Sequence, residues 1–245
     1  MNLKISVVIP IFNEEGNIIS LIEELVPIVD KIGGEIIIVD DHSNDSSANL
    51  VLKKKSSENV KIILLRHSKQ YGQSAGLLSG ITYAQNDVII TLDGDGQNDP
   101  KDIIPMLKVW EGNSDKGDLL VIGHRLNRKD TWSRRYASFL ALTVRKYILK
   151  DSTPDSGCGI KVFTRSFFLS LPYFDHIHRF LPALTRRHGG NVISHVVSHR
   201  NRLSGVSKYS NWQRFRVGLV DLYGVSWLIR RSSFPIKFNN EDEEK

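Results

Sequence analysis

An α/β fold with a mostly parallel central sheet flanked by helices is the class this 245-residue sequence predicts. Three observations lead there. Short β-branched apolar runs recur along the first half, helix-period stretches separate them, and polar residues gather just after each run. The first run, ISVVIPIF (5–12), is apolar throughout, as a strand covered on both faces must be. A helix-period stretch from Asn17 to Val29 follows it. EIIIVDD (35–41) is the second run and leads into a helix over Ser46 to Lys55. VKIILLR (60–66) is the third, with a helix over Ser74 to Ala84 behind it. VIITLD (88–93) is the fourth, and beyond Pro100 a helix spans Asp102 to Trp110. PIFNEEGN stands where a dinucleotide fold would carry G-x-G-x-x-G, and no GK[ST] follows a strand, which disfavours a dinucleotide fold or an NTPase.

With 40% hydrophobic residues, the chain can bury one substantial core. Its single cysteine, Cys158, allows neither an internal disulfide nor a zinc cluster, as befits a reducing compartment. The start MNLKISVVIP enters a strand directly, without a basic region or a long apolar stretch, and points to the cytosolic side. Charge is divided: residues 1–122 hold 11 Lys and Arg against 18 Asp and Glu, and the remainder holds 22 against 9. A basic second half suits an anionic partner, whether a phosphorylated substrate, a membrane surface or nucleic acid.

TLDGDGQNDP (91–100) sets Asp93, Asp95 and Asp99 at the end of the fourth strand. An EF-hand is excluded, because the sixth loop position is Asn98 rather than glycine and the twelfth is Ile104 rather than glutamate. A solvated turn is the plain alternative. Asn13 and Glu14 follow the first strand and Asp40 and Asp41 the second, so acidic ends face one crevice at the edge where open parallel sheets bind ligands. Carboxylates converging there repel unless a cation or ligand hydroxyls intervene. Oxygen ligands without Cys or His clusters favour Mg²⁺ or Mn²⁺ bridging to a diphosphate, with Asp93 and Asp95 as holders.

PIFNE (10–14), DDHSND (40–45), YGQSAGLLSG (71–80), DGDGQ (93–97), GHR (123–125), SGCGIKVF (156–163) and RLSGVSKY (202–209) together resemble the successive motifs of family 2 glycosyltransferases. The likeness is nearest to the dolichol-phosphate mannosyltransferase and polyprenyl-phosphate glycosyltransferase branch. It implies a GT-A fold, a nucleotide-sugar donor, a divalent metal and inversion at the anomeric carbon. Carried over by residue, Pro10, Phe12 and Glu14 would line the nucleotide, with Asp41 near its base and ribose. Asp93 and Gly94 would meet the donor, and Asp95 with Gln97 resembles the metal-binding pair, Gln97 being equally at home as a turn residue. Arg125 would approach the sugar-nucleotide, Arg134 and Ser138 of RRYAS would face the acceptor, and Arg202 and Lys208 would meet phosphate. Phe12 stands where tyrosine is common and His124 where serine is common, which leaves the donor open. No transmembrane hairpins follow Tyr209.

The expected organisation is a GT-A domain over 1–210, an amphipathic, interfacial helical segment over 211–238 and a disordered acidic tail over 239–245. Between Arg216 and Arg230 lie 13 residues, apolar but for Asp221 and Ser226, short of the ~20 a spanning helix needs. Trp212, Tyr223 and Trp227 with arginines on both flanks suit a helix in the headgroup region, and docking on the core is the alternative. In HIHRF (176–180), which lies in the basic half, His178 and Arg179 read as packing or interface residues, with facing the acceptor as the alternative, and His42 and His67 read as loop polars. The functional expectation is an inverting, metal-dependent transfer of a sugar to a polyprenyl phosphate, on the cytosolic face of a membrane, with a separate membrane-protein subunit as a possible partner. The alternatives are a family 2 enzyme acting on a glycan or protein hydroxyl, and a basic nucleic-acid- or membrane-binding protein. No RNA-recognition motif, zinc finger or basic helix is present, so a nucleic-acid partner is not expected.

Overall fold

The computed structural model describes residues 4–126, 143, 145–200 and 211–231, with side chains of the last segment described from 218 onward. Four β-α units come first: β1 (Ile5–Ile11), α1 (Ile18–Ile32), β2 (Glu35–Asp40), α2 (Ser47–Lys55), β3 (Lys61–Arg66), α3 (Gln73–Tyr83), β4 (Val88–Thr91) and α4 (Ile103–Glu111). They are joined by β5 (Leu119–Arg125), β6 (Lys161–Thr164), α5 (Arg165–Ser170), α6 (Leu181–Arg187), β7 (Asn191–Val197) and α7 (Asn211–Arg230). The strands form one seven-stranded sheet in the order β3-β2-β1-β4-β6-β5-β7.

β1, β2 and β4 are buried almost throughout, which their unbroken Val/Ile content requires. α1 covers them through Ile18, Leu21, Ile22, Leu25 and Val29, one stripe at helical spacing. It continues to Ile32, past the expected end at Val29, and ends at Gly33 in the left-handed conformation. The expected bounds of the other early elements hold to within two residues.

β6 is the exception to the parallel rule. It runs antiparallel to both β4, pairing Ile89 with Phe163, and β5, pairing Val121 with Val162. Reversal brings the start of β6, and the loop before it, to the edge where β4 and β5 end. Residues 155–160 therefore meet Asp93 and Arg125 there.

α7 docks on the core through Val225, 2% exposed, with Leu222, Leu228 and Ile229 packed beside it. Asp221 Oδ2 lies 3.0 Å from His176 Nδ1. The outward face carries Leu219, Val220, Tyr223 and Trp227, the last two 78% and 56% exposed. Both faces are thus apolar, which is why the sequence between the flanking arginines is nearly continuous in apolar residues. No helix among the described residues is long and apolar enough to cross a membrane.

Candidate active site

The carboxyl ends of β1, β2, β4 and β5 and the start of β6 meet at one edge. On the β1 side, Pro10, Phe12 and Glu14 follow the strand out. Glu14 is fixed at the start of α1: its carbonyl accepts from the Asn17 and Ile18 N–H groups, its carboxylate from Asn17 Nδ2 at 2.7 Å, and its N–H donates to Ser47 Oγ at 2.8 Å. Asp41, at the end of β2, is buried and accepts from the Tyr71 and Gly72 N–H groups at 2.8 and 2.7 Å. Its third partner is His67 Nδ1 at 2.7 Å, whose Nε2 meets Ser79 Oγ at 2.9 Å. Asp41 thereby pins the loop bearing half-exposed Tyr71. His67, which the sequence offered only as a loop polar, is the brace behind it.

After β4, Asp93 and Asp95 stand in the crevice, Asp95 buried and Asp93 partly so. Gln73 Nε2 donates to Asp93 Oδ1 at 2.7 Å, and the Gln97 N–H donates to Asp95 Oδ1 at 3.1 Å. Gly94 lies against β1, where a Cβ would meet Ile11 Cγ2 at 2.6 Å. Gly159 faces Asp93 so closely that any Cβ would strike its carboxylate. Burial, and then the charge of Asp95, push the Asp93 carboxyl up to about 6, against the pull of Lys161, Arg125 and Gln73.

Among the described residues, no group of three or more His, Cys, Asp and Glu converges into a cage for a metal ion. A metal shared with a diphosphate needs only one or two protein carboxylates, the phosphates and water supplying the rest. Asp93 and Asp95 fit that requirement: their mutual repulsion is what a cation would relieve, and Gln97 lies on the same loop, tied to Asp95 through its backbone N–H.

Arg125 ends β5 and is gripped by Asp155, which takes its Nε at 2.6 Å and Nη2 at 2.8 Å. Burial pulls against the guanidinium charge, but the Asp155 carboxylate holds it more firmly than usual. Sequence reasoning missed Asp155, although it directly precedes SGCGIKVF. It also missed Lys161, 3% exposed, whose ammonium donates to the Cys158 carbonyl. Burial lowers the Lys161 pKa, while the Cys158 sulfur, Asp93 and Asp155 counter it.

The β7 exit is tied to the carboxylate loop. Asn98 and His199 form an antiparallel bridge, and the Arg200 N–H donates to the Gln97 carbonyl at 3.0 Å. The Arg200 guanidinium spans Asp99 at 2.7 Å and Glu24 at 2.7 and 2.9 Å. The chain therefore leaves for residues 201–210 from beside Gln97. Arg134, Ser138, Arg202 and Lys208 lie outside the described residues, as does the acidic tail.

Beside Asp93 a cavity of about 120 Å³ opens, lined by Gln73, Thr91, Asp93, Lys161, His178 and Arg179 among others. The sheet edge thus reads, from β2 to β6, as a loop anchor at Asp41, a carboxylate pair after β4 and a polar cavity next to them.

The profile of the family described as Glycosyl transferase family 2 matches residues 6–171. A curated relative from Rhizobium johnstonii, named dodecaprenyl-phosphate galacturonate synthase, is 34% identical over 242 residues, covering 97% of this chain and 70% of the relative. Mannosyl-3-phosphoglycerate synthase from Rubrobacter xylanophilus superposes with a TM-score of 0.67 at 16% identity, over 94% of this chain and 75% of that one. Glucosyl-3-phosphoglycerate synthase from Mycobacterium tuberculosis, in complex with Mn²⁺, UDP-glucose and glycerol 3-phosphate, superposes with a TM-score of 0.62 at 19% identity, over 96% and 82%. At those identities the two structures speak for the fold alone.

Proposed function

Since this chain belongs to glycosyl transferase family 2 and is a glycosyltransferase of GT-A fold, we propose that it transfers one sugar from a nucleotide diphosphate donor to a polyprenyl phosphate. The observation that carries this is the Asp93–Asp95 pair opposite the Arg125–Asp155 pair at one sheet edge. The acceptor class is supported by the Rhizobium relative's name and by the R-x-x-G-x-S-K run at 202–208. The nucleotide would lie along Pro10, Phe12 and Glu14, with Asp41 holding the Tyr71 loop against it.

Asp93, Asp95 and Gln97 would hold Mg²⁺ or Mn²⁺, and Mn²⁺ accompanies the donor in the M. tuberculosis complex. A bound divalent cation would offset charge on the departing diphosphate. Arg125, fixed by Asp155, would support the same developing charge from the other wall. An acceptor phosphate needs no general base, because its second pKa of about 6 leaves it largely dianionic at neutral pH. Its oxygen forms the new bond at the anomeric carbon as the bond to the diphosphate breaks, and the electron pair leaves with the nucleotide, inverting the centre. Arg134, Ser138, Arg202 and Lys208 are proposed to position that phosphate.

The outward face of α7 supports a peripheral place on a membrane: Tyr223 and Trp227 have the amphipathic rings that settle at headgroup level. In this reading residues 1–210 form the transferase domain, 211–238 the interfacial segment and 239–245 a tail without a role in catalysis.

The test is a thermal-shift series with UDP- and GDP-sugars, with and without Mn²⁺ or Mg²⁺, followed by transfer to polyprenyl phosphate in detergent. A metal-dependent shift with one nucleotide series and a lipid-linked sugar product are expected. Metal-independent binding would reject the site assignment, and turnover confined to hydroxyl acceptors would reject the lipid.

A further inference from the structure

The cavity beside Asp93 is not used by any residue assigned above except Asp93 itself. Its place follows from the strand order. The nucleotide side lies at the ends of β1 and β2 and the carboxylate pair after β4, while the cavity lies beyond them, where Lys161 starts β6 and Leu181 starts α6. A diphosphate held at Asp95, with its nucleotide on the β1 and β2 side, would therefore have its sugar on the cavity side. The volume of about 120 Å³ is on the order of ten times the roughly 10–15 Å³ that one water needs, the scale of a single hexose.

His178 is a group in that wall with one ring nitrogen to spare. It is 9% exposed, and its Nδ1 lies 2.9 Å from Ser74 Oγ, in the first turn of α3. That bond fixes the ring plane. Nε2 has no hydrogen-bond partner among the described residues, although the residue lines the cavity. A buried packing histidine would be expected to have both nitrogens satisfied by protein. Burial, with Lys161, Arg179 and His176 nearby, disfavours the imidazolium. The ring is therefore a neutral donor–acceptor, suited to a hydroxyl rather than to a phosphate.

Resting on the transferase reading, we propose that this cavity is the subsite for the transferred sugar and that His178, oriented by Ser74, is a specificity-determining residue exchanging a hydrogen bond with a ring hydroxyl. Sites that hydrogen-bond a substrate hydroxyl reject analogues lacking it far better than apolar pockets do. Ser74 is a positioning residue, acting only through the imidazole.

The experiment uses the full chain and three variants, His178→Gln, His178→Ala and Ser74→Ala. kcat/KM is measured for UDP-glucose, UDP-galactose, UDP-galacturonate and GDP-mannose, and for monodeoxy analogues of the preferred donor. Binding of the free nucleoside diphosphate with Mn²⁺ is measured in parallel. The His178 variants should lose about ten- to a hundredfold in kcat/KM for the preferred donor, with nucleotide affinity within twofold and the ranking of donors changed. One deoxy analogue should be poor for the parent enzyme and no poorer for His178→Ala. Ser74→Ala should reproduce the same donor pattern at smaller size, and it decides the matter if the His178 variants do not fold. An equal loss for all donors, or an unchanged ranking, would overturn the proposal while leaving the transferase reading intact. Absence of metal-dependent nucleotide binding in the parent protein would overturn both.

Discussion

Asp155 holds Arg125 by both carboxylate oxygens, at 2.6 and 2.8 Å, across the gap between the end of β5 and the loop leading into β6. Both side chains are largely buried, at 6% and 12% exposure. The guanidinium therefore has one orientation, and that orientation faces the Asp93 crevice.

Asp155→Asn should cost transfer about ten- to a hundredfold, the worth of one charge-assisted contact, and should also destabilise the fold by leaving a buried charge unpaired. The double variant Arg125→Gln/Asp155→Asn should recover much of the stability and none of the rate. Urea unfolding beside steady-state kinetics separates the two effects; a double variant with restored rate would show that Arg125 is structural only.

Asp95→Asn should reduce metal-dependent nucleotide binding and transfer by about a hundredfold or more, while thermal stability in the absence of metal stays level or rises. The gain follows from removing the neighbouring charge that adds to burial in lifting the Asp93 carboxyl to about 6. Calorimetric titration with UDP and GDP at fixed Mn²⁺ reads the first effect, and undiminished affinity would reject Asp95 as a metal ligand.

Arg202→Ala and Lys208→Ala should each impair transfer to a polyprenyl phosphate by about ten- to a hundredfold and leave nucleotide affinity nearly unchanged. Kinetics on both substrates decide it. Parallel loss of nucleotide affinity would move these residues to the donor site.

Stability should depend on His178 below neutral pH. Its folded pKa lies well below 6.5 because of burial and then the nearby Lys161, Arg179 and His176. The unfolded chain therefore binds a proton first as pH falls, and stability declines below about 6.5 by at most about 1.4 kcal/mol per pH unit from this group. Above 6.5 the contribution is flat. Urea midpoints at pH 7.5, 6.5 and 5.5 should fall more steeply for the parent than for His178→Gln, and parallel declines would contradict the assignment.

The two faces of α7 should separate by mutation. Val225→Ala removes fully buried methyl groups and should cost about 1.5 kcal/mol. Tyr223→Ser with Trp227→Ser should change stability by less than about 0.5 kcal/mol each and yet release the protein from vesicles containing anionic lipid. Flotation with such vesicles is the measurement. Unaltered binding would place membrane contact elsewhere.

The sequence alone determined the early β-α alternation, because buried parallel strands demand unbroken apolar runs and the helices between them a 3.6-residue stripe. It also located Asp93 and Asp95, since motif order and spacing survive without coordinates. Strands β5, β6 and β7 were harder to read. β6 is four residues inside a motif, β7 is a half-exposed edge, and neither has the long uniform burial that marks a strand from composition. Only the tertiary structure decided that β6 runs backward. That reversal, through a contact between residues thirty apart, seats Asp155 on Arg125 and, with α6, brings Lys161 and His178 to one cavity with Asp93. Such pairings arise from how a sheet closes on itself, and local propensity carries no trace of them. The same reason explains His67, an ordinary loop histidine in sequence, which acquires its role only when β2 and α3 place Asp41 and Ser79 on its two nitrogens.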